Sequence, residues 1–276
     1  MNIIGIDIGG TKISAGLITD GILVKTITQK TLSNGSSKEI TKQLIDSISQ
    51  LFVNQVAGIG IGVSSPVVIK TGMPFNNVNI PGINGIKLKS VLEKKFGVPV
   101  HVNNDANCFA IGEKFFGKGK KHENLIGLVI GTGLGSGIVI NSKLYNGNNC
   151  AAGEFGEIAY LDKNIEYYCS SHFFQNRGQA SGEILSVRAT QGDREAIKIF
   201  KEYGFHLGKA IAVIVYALDP EMIILGGSIS KSFSLFKNDL LQSLKEAIPE
   251  QNFKSLKIDV SSKKDIAILG AGALCL

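Results

Sequence analysis

Long apolar runs are missing from this 276-residue chain. Its isoleucine-rich start is interrupted by Asp7 and Gly9, and no stretch approaches the ~18 apolar residues that a membrane helix needs. The start also lacks the basic region and the small-residue cleavage pattern of a signal peptide. These absences lead us to expect a cytoplasmic protein with no membrane partner.

Paired cysteines and dense charge are missing as well. The four cysteines lie at 108, 150, 169 and 275, so neither a disulfide framework nor a thiolate zinc site is suggested. The net charge is +6, but the densest basic run (Lys118, Lys120 and Lys121) is too short to indicate a nucleic-acid partner. The positive charge fits an ordinary solvated surface or an attraction for anionic substrates such as nucleotides.

Two familiar nucleotide motifs are also absent. No GxxxxGK[ST] sequence occurs, which excludes a P-loop. The dinucleotide pattern GxGxxG needs a third glycine and a following helix, but Gly131-x-Gly133 is followed by Ser136 and then by apolar strand residues. A nucleotide site in this chain must therefore be of another type.

What the chain does have is glycine, 33 residues, gathered in a few clusters. Ile4–Ile18 and Ile126–Ile140 each consist of an apolar strand, a glycine-rich turn and a second apolar strand. At a constant offset of 122, identical residues follow Ile4, Gly5, Ile8, Gly9, Ser14 and Ile18. This repeat predicts two related lobes that each open with a β-hairpin, and chance similarity between two such hairpins is the alternative.

The remaining patterns alternate between strand and helix. Strands are predicted at 22–32, 57–63, 98–102, 222–225 and 266–269. Helices are predicted after the capping pair Ser36 and Glu39, at 105–116, at 193–217 and at 232–248. We expect a duplicated α/β fold with mixed sheets and flanking helices. Its lobes would be 1–117, with 266–276 packing back on it, and 118–265, with a hinge at 117–123.

Both glycine turns have the features of phosphate sites. Glycines let several backbone N–H groups point at one anion, forming an anion-binding nest. The first turn holds Gly9, Gly10, Thr11 and Lys12, and the second holds Thr132 and Gly133. Two lobes facing each other could hold a triphosphate between these hairpins.

Asp7 ends the first predicted strand, just before the first turn. A carboxylate at the end of a buried strand is costly unless it is hydrogen-bonded or near a cation. We expect Asp7 to hold Mg²⁺ through water, because Mg²⁺ retains its waters. A turn-capping aspartate is the alternative.

Asp105 is the leading candidate for a general base. It follows a strand and begins a helix, which would place it in a cleft at the carboxyl end of the sheet. An N-cap role is the alternative. Asn103, Asn104 and Asn107 surround it with amides suited to sugar hydroxyls.

Two further clusters suit hydroxyl recognition. Glu154 and Glu157 lie in the acidic, glycine-flanked sequence GEFGE, for which a solvated acidic turn is the alternative. Asn79 lies in the polar loop 76–82, which a plain loop would equally explain. Each buried hydroxyl of a sugar needs such a partner.

These motifs together resemble the ROK family of bacterial sugar kinases and regulators, over nearly the whole chain. DIGGTK at 7–12 and IGTGLGSGIV at 130–139 resemble its phosphate motifs, and NNDAN at 103–107 its VxNDAN motif. NIPGINGIKL at 79–88 is similar to NLPGWNG, and GEFGE at 153–157 to ExGH. The segment at 217–230 resembles the one that ends near the adenosine.

The resemblance implies a two-lobed, actin-like ATPase (ribonuclease H-like) fold with ATP and Mg²⁺. It makes Asp105 the catalytic base and places Asn79, Asn104, Asp105 and Glu154 at sugar hydroxyls. Gly10, Thr11, Thr132 and Gly133 would lie at the phosphates, with Gly227 near the adenosine. It also implies a homodimer.

The chain departs from the family at its zinc loop. Glu157 stands where most members have the ExGH histidine, and no CxCGxxGCxE follows. Only Cys169 and His172 could be ligands there, and two ligands do not make a structural zinc site, so we expect no zinc. Packing by Tyr167, Tyr168, Phe173 and Phe174 would hold the loop. Glu166 or His172 would replace the family's last sugar-binding glutamate.

The sequence therefore predicts an ATP-dependent, glucokinase-like hexose kinase. A kinase for N-acetylglucosamine or N-acetylmannosamine is the first alternative, because the residue at the histidine position differs. A sugar-responsive regulator of the same family is the second. Such regulators carry an N-terminal helix-turn-helix domain, which we do not expect here because the chain begins at its first predicted strand.

Overall fold

The computed structural model describes residues 1–276 and forms two compact units. The first unit contains 1–121, 137–152 and 262–276, and the second contains 122–136 and 153–261. No helix in either unit combines the length and apolar character that crossing a membrane requires.

The first unit contains a five-stranded sheet and a two-stranded ribbon. Its strands before residue 122 are β1 (Asn2–Ile8), β2 (Lys12–Thr19), β3 (Ile22–Lys30), β4 (Val56–Val63), β5 (Val67–Val68), β6 (Met73–Pro74) and β7 (Val100–Asn104). The large sheet has the order β3-β2-β1-β4-β7. β1, β4 and β7 are parallel, so their carboxyl ends share one edge.

The second sheet repeats this order as β10-β9-β8-β13-β14. The later strands are β8 (Leu125–Ile130), β9 (Leu134–Ile140), β10 (Lys143–Tyr145), β11 (Ala159–Tyr160), β12 (Lys163–Asn164), β13 (Met222–Gly226) and β14 (Lys257–Val260). In both sheets a hairpin supplies the first two strands, and its first strand pairs in parallel with a later one. The predicted pair of hairpins is confirmed.

Ten helices flank the sheets. They are α1 (Ser37–Ser49), α2 (Leu88–Phe96), α3 (Asp105–Phe116), α4 (Ile165–Cys169), α5 (Ser171–Gly178), α6 (Gly182–Thr190), α7 (Arg194–Leu218), α8 (Phe233–Ala247), α9 (Glu250–Ser255) and α10 (Ile266–Ala273). The predicted capping box is present, since Ser36 and Glu39 bond each other's backbone at the start of α1. The apolar residues of α1 at helical spacing are buried in the core of the first unit.

The predicted strand at 266–269 is wrong, because this segment is the helix α10. Glycines on its partners let the helix backbone approach closely. A Cβ at Gly5 would lie 2.1 Å from Ile268 O, and one at Gly60 would lie 1.8 Å from Ala271 O. On the helix itself, a Cβ at Gly270 would lie 1.9 Å from Cys108 O in α3. Periodicity cannot distinguish a short buried strand from a short buried helix, and here glycine packing favours the helix.

The prediction for β7 is displaced by two residues. The strand was expected at 98–102, but it runs from Val100 to Asn104. Pro99 has no N–H to donate and lies just before the strand, where its carbonyl accepts the Ile59 N–H at 2.9 Å. The shift takes the strand up to the residue that caps α3.

Candidate active site

The first glycine turn joins β1 to β2 and is held at both sides. Gly9 N–H donates to Lys12 O at 3.0 Å, and the Thr31 hydroxyl donates to Gly9 O at 2.7 Å. Thr31 N–H donates to Thr11 O at 3.0 Å. Gly10 and Thr11 therefore lie at the tip of a turn whose base is fixed by hydrogen bonds.

Asp7 lies at the base of this turn and is largely buried. Burial raises the pKa of its carboxyl from 3.8 to about 6, and the Lys12 ammonium opposes part of that rise. The Lys12 charge offsets only part of the cost of burying the Asp7 carboxylate. A carboxylate of this kind beside a phosphate-type turn fits Mg²⁺, which usually takes one or two carboxylates together with waters and substrate phosphates.

Asn79 packs directly on the first turn. A Cβ added to Gly10 would lie 2.8 Å from Asn79 Cβ. The loop around Asn79 is fixed by Asn77 and Asn84, since Asn77 N–H donates to Asn84 Oδ1 at 2.9 Å and Ile80 N–H donates to Asn77 Oδ1 at 2.8 Å. The structure thus brings the predicted sugar ligand Asn79 beside the predicted phosphate residue Gly10.

Asp105 is the first residue of α3, and the helix N-cap is Asn104. The Asn104 side chain accepts from Ala106 N–H at 2.9 Å, so the N-cap alternative for Asp105 is wrong. Asp105 Oδ1 also lies 2.8 Å from Ala106 N, at the positive end of the helix dipole.

Asp105 and Asp7 lie at the same carboxyl edge of β1, β4 and β7, on either side of Gly62. Burial is the main cause of the raised pKa of the Cys108 thiol, and the charges of Asp105 and Asp7 raise it further. The register explains this placement, because Asp7 pairs with Gly62 and Gly62 pairs with Asn103. The two carboxylates that the sequence singles out in the first unit therefore lie at one edge of one sheet.

The remaining asparagines of the NNDAN motif have a structural role. Asn103 and Asn107 are buried, and Asn107 Nδ2 donates to Asn103 Oδ1 at 2.9 Å. Asn103 Nδ2 donates to Asn146 Oδ1 at 2.8 Å. The expectation that Asn103 and Asn107 face hydroxyls is not supported by these contacts.

Two serines at the end of β4 were missed by the sequence analysis. The buried Ser64 and Ser65 hydroxyls have no protein partner, and Asn104 Nδ2 donates to Ser65 O at 3.4 Å. Nothing in the local sequence distinguished them from an ordinary turn before Pro66. Their hydroxyls at the same carboxyl edge suit a ligand rich in hydrogen-bonding groups.

The second glycine turn joins β8 to β9 and has different supports. Gly131 N–H donates to Gly133 O at 3.0 Å, and Leu134 N–H donates to Glu166 Oε2 at 2.8 Å. Ser171 N–H donates to Gly131 O at 2.8 Å, which fixes the other side of the turn. Thr132 is exposed at the tip.

Three carboxylates gather near this turn. Burial raises the pKa of Glu154, and the charges of Glu157 and Glu166 raise it further. The segment before them needs Gly153, whose φ is +94° and whose Cβ would lie 2.7 Å from Ser136 O. Of the two residues offered as replacements for the last glutamate, Glu166 is the one that reaches this cluster.

Gly227 directly follows β13. Its φ is +85°, and a Cβ there would lie 2.2 Å from Ile130 O in β8, so only glycine fits. The next residues line a cavity of about 370 Å³ together with α5 and α6, and its walls include Phe174, Val187 and Ile229. A half-apolar cavity beside a glycine turn suits a planar base.

The segment in the family's zinc-loop position is packed on α7 by aromatic rings. The rings of Phe174 and Tyr203 lie 4.8 Å apart, and those of Tyr168 and His206 also lie 4.8 Å apart. In residues 1–276 no group of three or more His, Cys, Asp or Glu side chains is placed to hold a metal ion. Tyr203 and His206 were missed because they lie far along the chain from their partners in α4 and α5.

Comparison with known proteins agrees with this architecture. The ROK family model matches residues 3–276, so the chain belongs to the ROK family. A glucokinase of Thermotoga maritima is 27% identical over 99% of this chain and 97% of its own length. A xylose repressor of Bacillus subtilis is 30% identical over 94% of this chain and 72% of its own length.

A solved relative is the ROK family glucokinase of Streptomyces griseus in complex with glucose and AMPPNP. It is 26% identical, covers 99% of both chains and has a TM-score of 0.78. The fold is therefore the actin-like ATPase fold of ROK sugar kinases. These similarities indicate an ATP-dependent sugar kinase.

Proposed function

We propose that this protein is an ATP-dependent hexose kinase that transfers the γ-phosphoryl group to the 6-hydroxyl of a hexose. The observation that carries the proposal is that Asp7 and Asp105 both lie at the carboxyl edge of the parallel strands β1, β4 and β7. Ligands bind at such edges in open α/β sheets. Glucose is the first substrate that we would test.

Asp105 acts as the general base in this proposal. Its carboxylate accepts the proton of the attacking hydroxyl from a position in the first turn of α3. Phosphoryl transfer needs mainly positioning and neutralisation of charge, so one base and well-placed donors are sufficient. Asn104, as the N-cap, fixes the backbone from which Asp105 projects.

Amides and carboxylates are the groups that we expect to recognise the sugar hydroxyls. Asn79 and Asn104 supply amides, and Glu154 and Glu157 supply carboxylates. Glu166 joins them because its charge reaches Glu154. Glu157 stands where most family members have a histidine, which in relatives lies near the first two sugar carbons. An N-acetylhexosamine is therefore the alternative substrate.

Each glycine turn is a proposed phosphate-binding element, and the 370 Å³ cavity of the second unit is the proposed site for the base. Gly9, Gly10, Thr11 and Lys12 serve the first turn, and Thr132, Gly133 and Gly227 serve the second unit. Mg²⁺ fits beside Asp7, which would hold it through water, and when bound it neutralises phosphate charge.

An ADP-release assay over hexoses and N-acetylhexosamines tests the proposal. We expect activity on at least one sugar, and a loss of about 10²- to 10⁴-fold in kcat for Asp105→Asn with sugar affinity kept within a few-fold. Asp46→Asn, on the exposed face of α1, is the matched control. Equal activity of Asp105→Asn would refute the base, and sugar binding without ADP release would favour a regulator.

A further inference from the structure

We propose that Tyr203 and His206 of α7 are positioning residues. They hold α4 and α5 in place, and these helices carry the groups that support sugar and phosphate binding. This inference rests on the proposed function. Both side chains are buried, at 0% and 7% exposure, so they act through neighbours. Every contact involved lies within the second unit.

The α4–α5 segment borders three surfaces that the proposed function uses. Glu166, in the first turn of α4, faces the carboxylate cluster and also accepts the Leu134 N–H at 2.8 Å. Ser171, the first residue of α5, donates its N–H to Gly131 O at 2.8 Å. Ser171 and Phe174 line the 370 Å³ cavity. A displacement of this segment therefore changes all three surfaces together.

Tyr203 fixes the junction between the two helices. Its hydroxyl donates to Cys169 O, the last carbonyl of α4, at 2.9 Å. That carbonyl lies at a helix end, where intrahelical partners run out, and it is buried. The Tyr203 ring packs on Phe173 and Phe174 at 5.7 and 4.8 Å. One side chain thus anchors α4 by a hydrogen bond and α5 by ring contacts.

His206 lies one helical turn further along α7 and anchors the chain that leads into α4. Its Nδ1 is 3.1 Å from the hydroxyl of Tyr160. Tyr160 lies three residues after Glu157 and five residues before α4 begins. The His206 ring also contacts Tyr168 in α4 at 4.8 Å. The Tyr203 and His206 contacts fix the two ends of the segment that carries Glu166.

Binding of AMPPNP and of glucose, measured by calorimetry, tests this inference without depending on turnover. Tyr203→Phe removes only the hydroxyl. We expect it to weaken both ligands about 3- to 10-fold and to reduce the effect of glucose on AMPPNP affinity. Tyr216→Phe is the matched control, because Tyr216 on the same helix donates to the Ala247 carbonyl at 2.7 Å, away from α4.

A double-variant cycle distinguishes a positioning role for Tyr203 from a purely structural one. If Tyr203 acts through Glu166, Tyr203→Phe has little further effect on glucose affinity in a Glu166→Ala background. Tyr160→Phe, which removes the hydroxyl that contacts His206 at a half-buried site, should also weaken glucose binding.

Wild-type affinity for both ligands in Tyr203→Phe, or additive losses in the cycle, would overturn the inference and leave the kinase proposal standing. A wild-type protein that binds neither AMPPNP nor glucose would overturn both.

Discussion

The first and second glycine turns share a strand framework but differ in what supports them. Each joins the first two strands of a sheet with the same strand order. The first turn is bonded to Thr31 and packed on Asn79, whereas the second is bonded to Glu166 and Ser171. The repeat thus supplies two similar backbone turns, and the neighbours that are not repeated supply the chemistry.

The supports also differ in how far a neighbour can yield. Asn79 presents its Cβ to Gly10, and a Cβ atom cannot move without its backbone. Glu166 presents a carboxylate at the end of a flexible side chain to Gly133. We infer that the first turn is a rigid element and that the second responds to α4.

Gly10→Ala, in the first turn, should cause the largest loss of activity. The new Cβ would lie 2.8 Å from Asn79 Cβ, so either the turn or the Asn79 loop must shift. A misplacement of about 1 Å costs on the order of 10²-fold in kcat/KM, and we expect a loss of that size with both substrates. Steady-state kinetics measures it, and a loss below about threefold would contradict the rigid-turn interpretation.

Gly133→Ala should cost less, about 10-fold. Its Cβ would lie 2.6 Å from Glu166 Oε2, and the carboxylate can swing away at the cost of its bond to Leu134 N–H. We expect the sugar KM to rise because Glu166 leaves its place. Gly131→Ala provides the comparison within the same turn, because its Cβ would come no closer than 3.6 Å to a neighbouring atom, Ser228 Oγ. A larger loss for Gly131→Ala than for Gly133→Ala would refute the role given to Glu166.

Much of the fold follows from local signals in the sequence. The capping box of α1 and the long amphipathic pattern of α7 predict helices that the structure has. The strand at 266–269 is the exception, because α10 is defined by glycines in β1, β4 and α3 that are distant in sequence. A local pattern cannot report such backbone contacts.

The candidate site divides in the same way. Asp7 and Asp105 could be singled out because Asp7 lies near the end of an apolar strand before a turn and Asp105 begins a helix after a strand. The N-cap of α3 could not be predicted from the sequence, because Asn104 and Asp105 are both good capping residues. Tyr203 was missed because its polar partner, the Cys169 carbonyl, belongs to the backbone and leaves no mark in the sequence.

Asp7→Asn tests the first turn through the stability of the ligand-free protein, and its expected effect depends on pH. Burial raises the folded-state pKa of Asp7 from 3.8 to about 6, so above pH 6 the ionised carboxylate destabilises the folded state. Removing that charge should stabilise the ligand-free protein by about 1–3 kcal/mol at pH 7.5, with the gain fading as pH falls from 6 towards 4. Thermal unfolding at pH 7.5 and pH 4.5, without nucleotide, measures the difference. A variant that is less stable than wild type at pH 7.5 would show that Asp7 is compensated within the protein and has no need of a cation.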